Sequence, residues 1–197
     1  MMPLPYQAAI HETTENALHA APLWQFPQEK TVLMIHWTDQ QFRPGRQILA
    51  KNLWVVSAKQ MYNVCRQFDA QHLPLRISQL LGMPPPNNQH WHFVFLTVAD
   101  QQYHFNQLPA GYLRPCYSTD SIHAQYCHYG MDPQNSAYNR WLTGLEASDV
   151  GYPWTGLGYT FDWDPKNMTH IGISEFVIPK GVKIHIIKTE TALQYCK

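Results

Sequence analysis

Residues 170–187 read HIGISEFVIPKGVKIHII. Two runs rich in Ile and Val flank Pro179-Lys180-Gly181, the pattern of two strands joined by a short turn. Alternate residues of a strand share a face. In the first run Ile171, Ile173 and Val177 therefore alternate with Gly172, Ser174, Phe176 and Ile178, and both faces are apolar. Such a strand belongs inside a sheet that is covered on both sides. Glu175 interrupts the pattern, on the face of Ile171, Ile173 and Val177. A carboxylate there is costly unless it is paired or hydrogen-bonded. Three structural readings stand beside a functional one: an exposed strand end, an ion pair with Arg76 or Arg114, or a hydrogen-bonded structural Glu. The functional reading is a carboxylate lining a cleft.

The rest of the chain supplies the partners such a strand needs. Its 197 residues suit one domain with a sizeable core. Residues 1–30 read as an irregular N-terminal arm, and 31–197 as a single domain. Thr31 to Trp37 and Leu53 to Val56 are β-branched and apolar, hence strands. Between them a Pro-Gly turn precedes QILAKN, read as a short helix ending at Asn52. Ser57 with Gln60 fits a capping box, and Met61, Val64, Cys65 and Phe68 recur at helical spacing. Residues 75–81 form a second helix, stopped by Gly82 and the run Pro84-Pro85-Pro86. Trp91 to Val98 is a long buried strand, with a turn at Ala99-Asp100 leading to a short partner, Tyr103 to Phe105. Residues 107–135 are loop-rich. Ser136 caps a third helix with Tyr138, Trp141, Leu142 and Leu145 on one face. This mixture gives an α+β fold with a mixed or antiparallel sheet and helices packed around it.

Composition narrows function. The formal net charge is zero and only 14% of residues are charged, so general nucleic-acid binding is not expected. No apolar run approaches the length of a membrane span. The first residues lack a basic segment followed by an apolar one, so they do not read as a signal peptide. The four Cys include no C-x-x-C pair, which argues against a zinc ribbon. Cys116 and Cys127 bracket a loop and could close as a disulfide in an oxidising compartment or stay as thiols. Cys65, on an apolar helical face, reads as a core thiol. No metal site is expected. His90 and His92, which alternate on one strand face, could bind a metal with a third partner, but read rather as a surface pair.

Other residues carry candidate chemistry. His36 lies at the end of the first strand, on the face of Val32 and Met34, with Thr38 and Asp39 following; strand ends are where sites are commonly built. Tyr62 sits at the border of the Met61 helix stripe and can pack or stack on a ring. The segment GYPWTGLGYTFDWDP reads either as a packed aromatic loop or as a glycan platform of Trp154, Tyr159 and Trp163. In the second case Asp162 or Asp164 could join Glu175 as an acid pair for glycoside hydrolysis. G-x-S-x-G, H-E-x-x-H, P-loop, G-x-G-x-x-G and EF-hand motifs are absent.

In order along the chain, three segments resemble the ADP-ribosyltransferase fold, in its diphtheria-toxin-like branch. Ile35-His36-Trp37-Thr38 is similar to the motif that starts that family's first core strand. NLWVVSAKQMYNVCRQF is similar to its aromatic-ended strand and Tyr-bearing helix, and SEFVIPKGVKIHII to its late Glu strand, turn and last strand. The resemblance implies that NAD is bound as a substrate between the first strand and the Glu strand. It implies that His36, with Thr38, holds the adenosine-side ribose, that Trp54 or Tyr62 stacks on nicotinamide, and that Glu175 is catalytic. The acceptor of ADP-ribose would be a protein or water. Trp37 stands where that motif has Gly. Ile173 stands where the Arg-modifying type has Glu or Gln, which points away from that type. GYPWTGLGYTFDW and LPLRISQLLGMPP also resemble an uncharacterised bacterial family of exported proteins, which implies a periplasmic or secreted location over a cytoplasmic one. A non-catalytic binding or inhibitory module of the bacterial envelope, using residues 151–164, is the alternative to an enzyme.

Overall fold

The structure, a computed structural model, describes residues 4–15, 18, 21–24, 32–87, 90–98, 152–178 and 180–197. The strand at 103–105, the helix after Ser136, and Cys116, Cys127 and Arg114 lie outside the described residues. The described elements are α1 (Leu4–Glu15), β1 (Met34–Thr38), β2 (Gly45–Ile48), β3 (Leu53–Ser57), α2 (Ala58–Cys65), α3 (Leu73–Leu80), β4 (His92–Val98), β5 (Tyr159–Phe161), β6 (Ile171–Ile178), β7 (Lys183–Thr191) and α4 (Ala192–Cys196). The strands form one seven-stranded sheet in the order β2-β7-β4-β1-β3-β6-β5. Every pairing between them is antiparallel. The fold is α+β.

The alternation of apolar residues decides which side chains meet. One face carries Ile35, Trp37, Val56, Phe93, Phe95 and Ile173, and packs under Met61 and Cys65 of α2, Leu73, Ile77 and Leu80 of α3, and Ala192 and Cys196 of α4. The other carries Met34, Val55, Val94, Leu96, Phe176, Ile178, Ile184 and Ile186, with Trp24 and Phe42 packed against it. β6 lies between β3 and β5 and is buried from Ile173 onward, as its two apolar faces predict. Hence Glu175 is not an exposed strand end.

Local signals account for α2 and α3. The Ser57 hydroxyl accepts the Gln60 N–H and caps α2. A Pro in the first turn starts α3, and Gly82, at φ 65°, follows its end. Three readings of the sequence need correction. The arm contains helix α1, whose Tyr6 and Ala9 pack with Phe161 and Trp163. The segment read as a helix at QILAKN is instead strand β2 followed by irregular chain. Gly45 to Ile48 are held by main-chain pairing to Ile186 through Lys183, so a partner strand overrides weak local preference. Finally, Cys65 is fully buried as expected, yet it is no thiol: it forms a disulfide with Cys196, 131 residues away, joining α2 to α4.

Candidate functional site

β1 and β3 pair only through Met34 with Ser57 and Ile35 with Val56. Beyond that point the strands part, although β1 continues to Thr38 beside β4 and β3 begins at Leu53 beside β6. His36 fills the parting. Its ring Nδ1–H donates to the Trp54 carbonyl at 2.8 Å. A carbonyl only accepts, so Nδ1 carries the proton and Nε2 presents a lone pair. Burial pushes the imidazole down to about 4; the hydrogen bond to Trp54 opposes this, and Lys51 and His92 add to it. His36 is therefore neutral at physiological pH.

Register fixes how the candidate residues relate. Glu175 is in register with Val56, and Trp54 with Val177. Directly paired residues share a face, so Glu175 and Trp54 lie on the helix-covered side, as diagonal neighbours. His36 pairs with Val94 and Thr38 with His92, on the opposite face. His36 and Glu175 are thus one strand apart in the sheet but emerge from different faces. Trp54 connects them: its carbonyl holds His36, and its indole shares the side of Glu175. Glu175 is 7% exposed, and its N–H donates to the Gly158 carbonyl at 3.0 Å. Thr38 is buried, and its hydroxyl oxygen accepts the Gln40 N–H.

Tyr62 is placed elsewhere. It is exposed, with Arg66 over its ring and Tyr195 of α4 at 5.6 Å. Tyr195 in turn touches Phe93 and Phe95 of β4 and donates to the Ala58 carbonyl. β4 is three strands from β6, so Tyr62 and Glu175 are not brought together.

The aromatic segment is packed. Trp163 and Tyr159 are buried, and the Trp163 indole N–H donates to the Met83 carbonyl. Asp162 is fully buried and receives both terminal nitrogens of Arg76, at 2.9 and 2.6 Å. It also accepts Asn167 Nδ2 at 2.9 Å and the Asp164 N–H at 3.1 Å. Asp164 takes Arg76 Nε at 3.1 Å. Arg76 is therefore committed to this loop and is not the partner of Glu175 weighed from the sequence. A carboxylate so fully bonded by a guanidinium serves structure.

His92 is placed differently from its sequence reading as half of a surface pair. It is buried, whereas His90 precedes the strand and is exposed, so the two do not form a surface pair. Its Nδ1–H donates to the His90 carbonyl at 3.0 Å. The largely apolar run FVFLTV after it was the available signal, because it draws the whole strand into the core. Among the described residues no group of three or more His, Cys, Asp or Glu converges. No helix of the described residues is long and apolar enough to cross a membrane. Neither family models, curated proteins nor solved structures match this chain.

Proposed function

We propose that the chain binds NAD+ at the parting of β1 and β3 and cleaves its nicotinamide-ribose bond, passing ADP-ribose to a protein or to water. The observation that carries this reading is the double engagement of Trp54, which bonds His36 through its carbonyl and stands diagonal to Glu175. In a continuous sheet the backbone would separate the two faces; at a parting, an elongated dinucleotide can reach side chains of both. His36 Nε2 accepts a ribose hydroxyl, with Thr38 next to it on the strand. Trp54 stacks on nicotinamide, a role its position suits better than that of Tyr62.

The chemistry asked of Glu175 is electrostatic. The C–N bond breaks, and nicotinamide leaves with the bonding pair as a neutral molecule. The positive charge that develops on the ribosyl carbon is stabilised by the carboxylate, a preorganised charge in a site from which water is largely excluded. The acceptor then forms the new bond and releases its proton to solvent. Glu175→Gln should abolish nicotinamide release from NAD+ while leaving the melting transition in place. Normal turnover by that variant would sink the assignment.

A location in an oxidising compartment belongs to the same reading. It is supported by the Cys65–Cys196 bridge, since such bonds persist outside reducing cytosol. Intact mass of protein purified without reductant should fall by about two daltons per bridge relative to the reduced chain.

A further inference from the structure

We propose that His36 and His92 together bind a divalent transition-metal ion of the zinc, nickel and copper group. The observations for it lie on the opposite face alone, but the ion would take the same His36 Nε2 lone pair that the NAD+ reading gives to a ribose hydroxyl, so the two ligands would compete for that atom. His36 is in register with Val94 and His92 with Thr38 on adjacent strands β1 and β4, so the two imidazoles are diagonal neighbours on one face. Each ring is held in the same way. Nδ1–H of His36 donates to the Trp54 carbonyl and Nδ1–H of His92 to the His90 carbonyl. Both tautomers are thereby fixed with the lone pair on Nε2, as in metal-binding histidines whose second nitrogen is anchored to a carbonyl.

A second observation points to a ligand. His92 is more than nine-tenths buried, and its Nε2 has no hydrogen-bond partner among the described residues. Buried acceptors are rarely left open. Metal coordination would complete this one. Imidazole nitrogen suits Zn2+, Ni2+ and Cu2+, and does not suit Mg2+ or Ca2+. With no third converging ligand among the described residues, the remaining coordination positions belong to water or to an incoming donor, so the ion is exchangeable.

The test titrates the full-length, chelator-stripped chain with Zn2+ and Ni2+ by calorimetry. One ion per chain is expected. His36→Gln and His92→Gln should each weaken binding more than about tenfold, and His90→Gln, which retains the carbonyl, should leave it unchanged. Absence of binding, or binding unaltered in both of the first two variants, overturns the proposal. Should a variant not fold in chelator, the wild-type protein decides the matter by 15N spectra of its imidazoles. Zn2+ should move the Nε2 resonances of His36 and His92 together. An unmoved His92 Nε2 also overturns the proposal.

Discussion

Asp162 and His92 are both polar and both buried, and the chain treats them in opposite ways. Asp162 accepts two bonds from Arg76, one from Asn167 and one from the Asp164 N–H. His92 spends one nitrogen on the His90 carbonyl and leaves the other open. The first arrangement ties α3 to the chain after β5 and has no bonding capacity to offer a ligand. The second, on β4 beside the His36 parting, keeps acceptor capacity in a dry place. Complete satisfaction marks a structural cluster, and incomplete satisfaction marks the region to test for binding.

The comparison breaks if perturbing the satisfied side changes binding. The largest stability effect is expected from the disulfide. Closing a loop of 131 residues restricts the unfolded chain by up to about 5 kcal/mol in the chain-entropy description. Cys65→Ala should therefore lower the denaturant midpoint strongly without altering NAD+ affinity in the protein that remains folded. Arg76→Met comes next. It strands the buried Asp162 charge and should cost about 3–5 kcal/mol in urea unfolding, again with unchanged ligand affinity. A changed affinity would mean that the Arg76 loop is part of the site.

Gly172→Ala probes how tightly β6 fits. An added Cβ would collide with the Thr160 hydroxyl and carbonyl and sit 2.7 Å from the Leu80 carbonyl. The Thr160 hydroxyl itself bonds Leu80 and accepts the Ile173 N–H, so backbone must move. A loss of about 1–3 kcal/mol is expected in the same unfolding assay.

A pH effect sharpens the other side of the comparison. His36 titrates near 6.5 when unfolded and is pushed down to about 4 in the fold. Between those values the unfolded chain binds the extra proton. Stability contributed by neutral His36 is thus present above pH 6.5 and falls as pH drops toward 4, by at most about 1.4 kcal/mol per pH unit. Unfolding measured from pH 4 to 7 should show this slope, and His36→Gln should flatten it. An unchanged slope in the variant would mean that His36 is not held neutral.

Much of this could be read from the chain where the signals are local. Ser57, Met61 and Cys65 announce α2, the alternation around Glu175 announces a strand covered on both faces, and Gly82 marks the end of α3. β2 was missed because Gly45 to Ile48 have little strand character of their own and depend on β7, more than 130 residues later in the sequence. The same distance hid the Cys65–Cys196 bond, and the Arg76–Asp162 pair spans 86 positions. The site was half legible. His36, Trp54 and Glu175 could be singled out one by one, but their relation depends on register through β3, which alternation along one strand cannot reveal. The surface-pair reading of His92 is at odds with the buried strand expected over Trp91 to Val98; its burial follows the strand, and only His90, ahead of the strand, is exposed.

Calorimetric titration of NAD+ into the wild-type protein and into Trp54→Ala and His36→Ala is the most direct test of the claim that the parting of β1 and β3 is a dinucleotide site. The account predicts saturable binding by the wild type, weakened by either substitution while the variants still melt cooperatively. Absence of binding at millimolar NAD+, or binding that both variants retain in full, would contradict it.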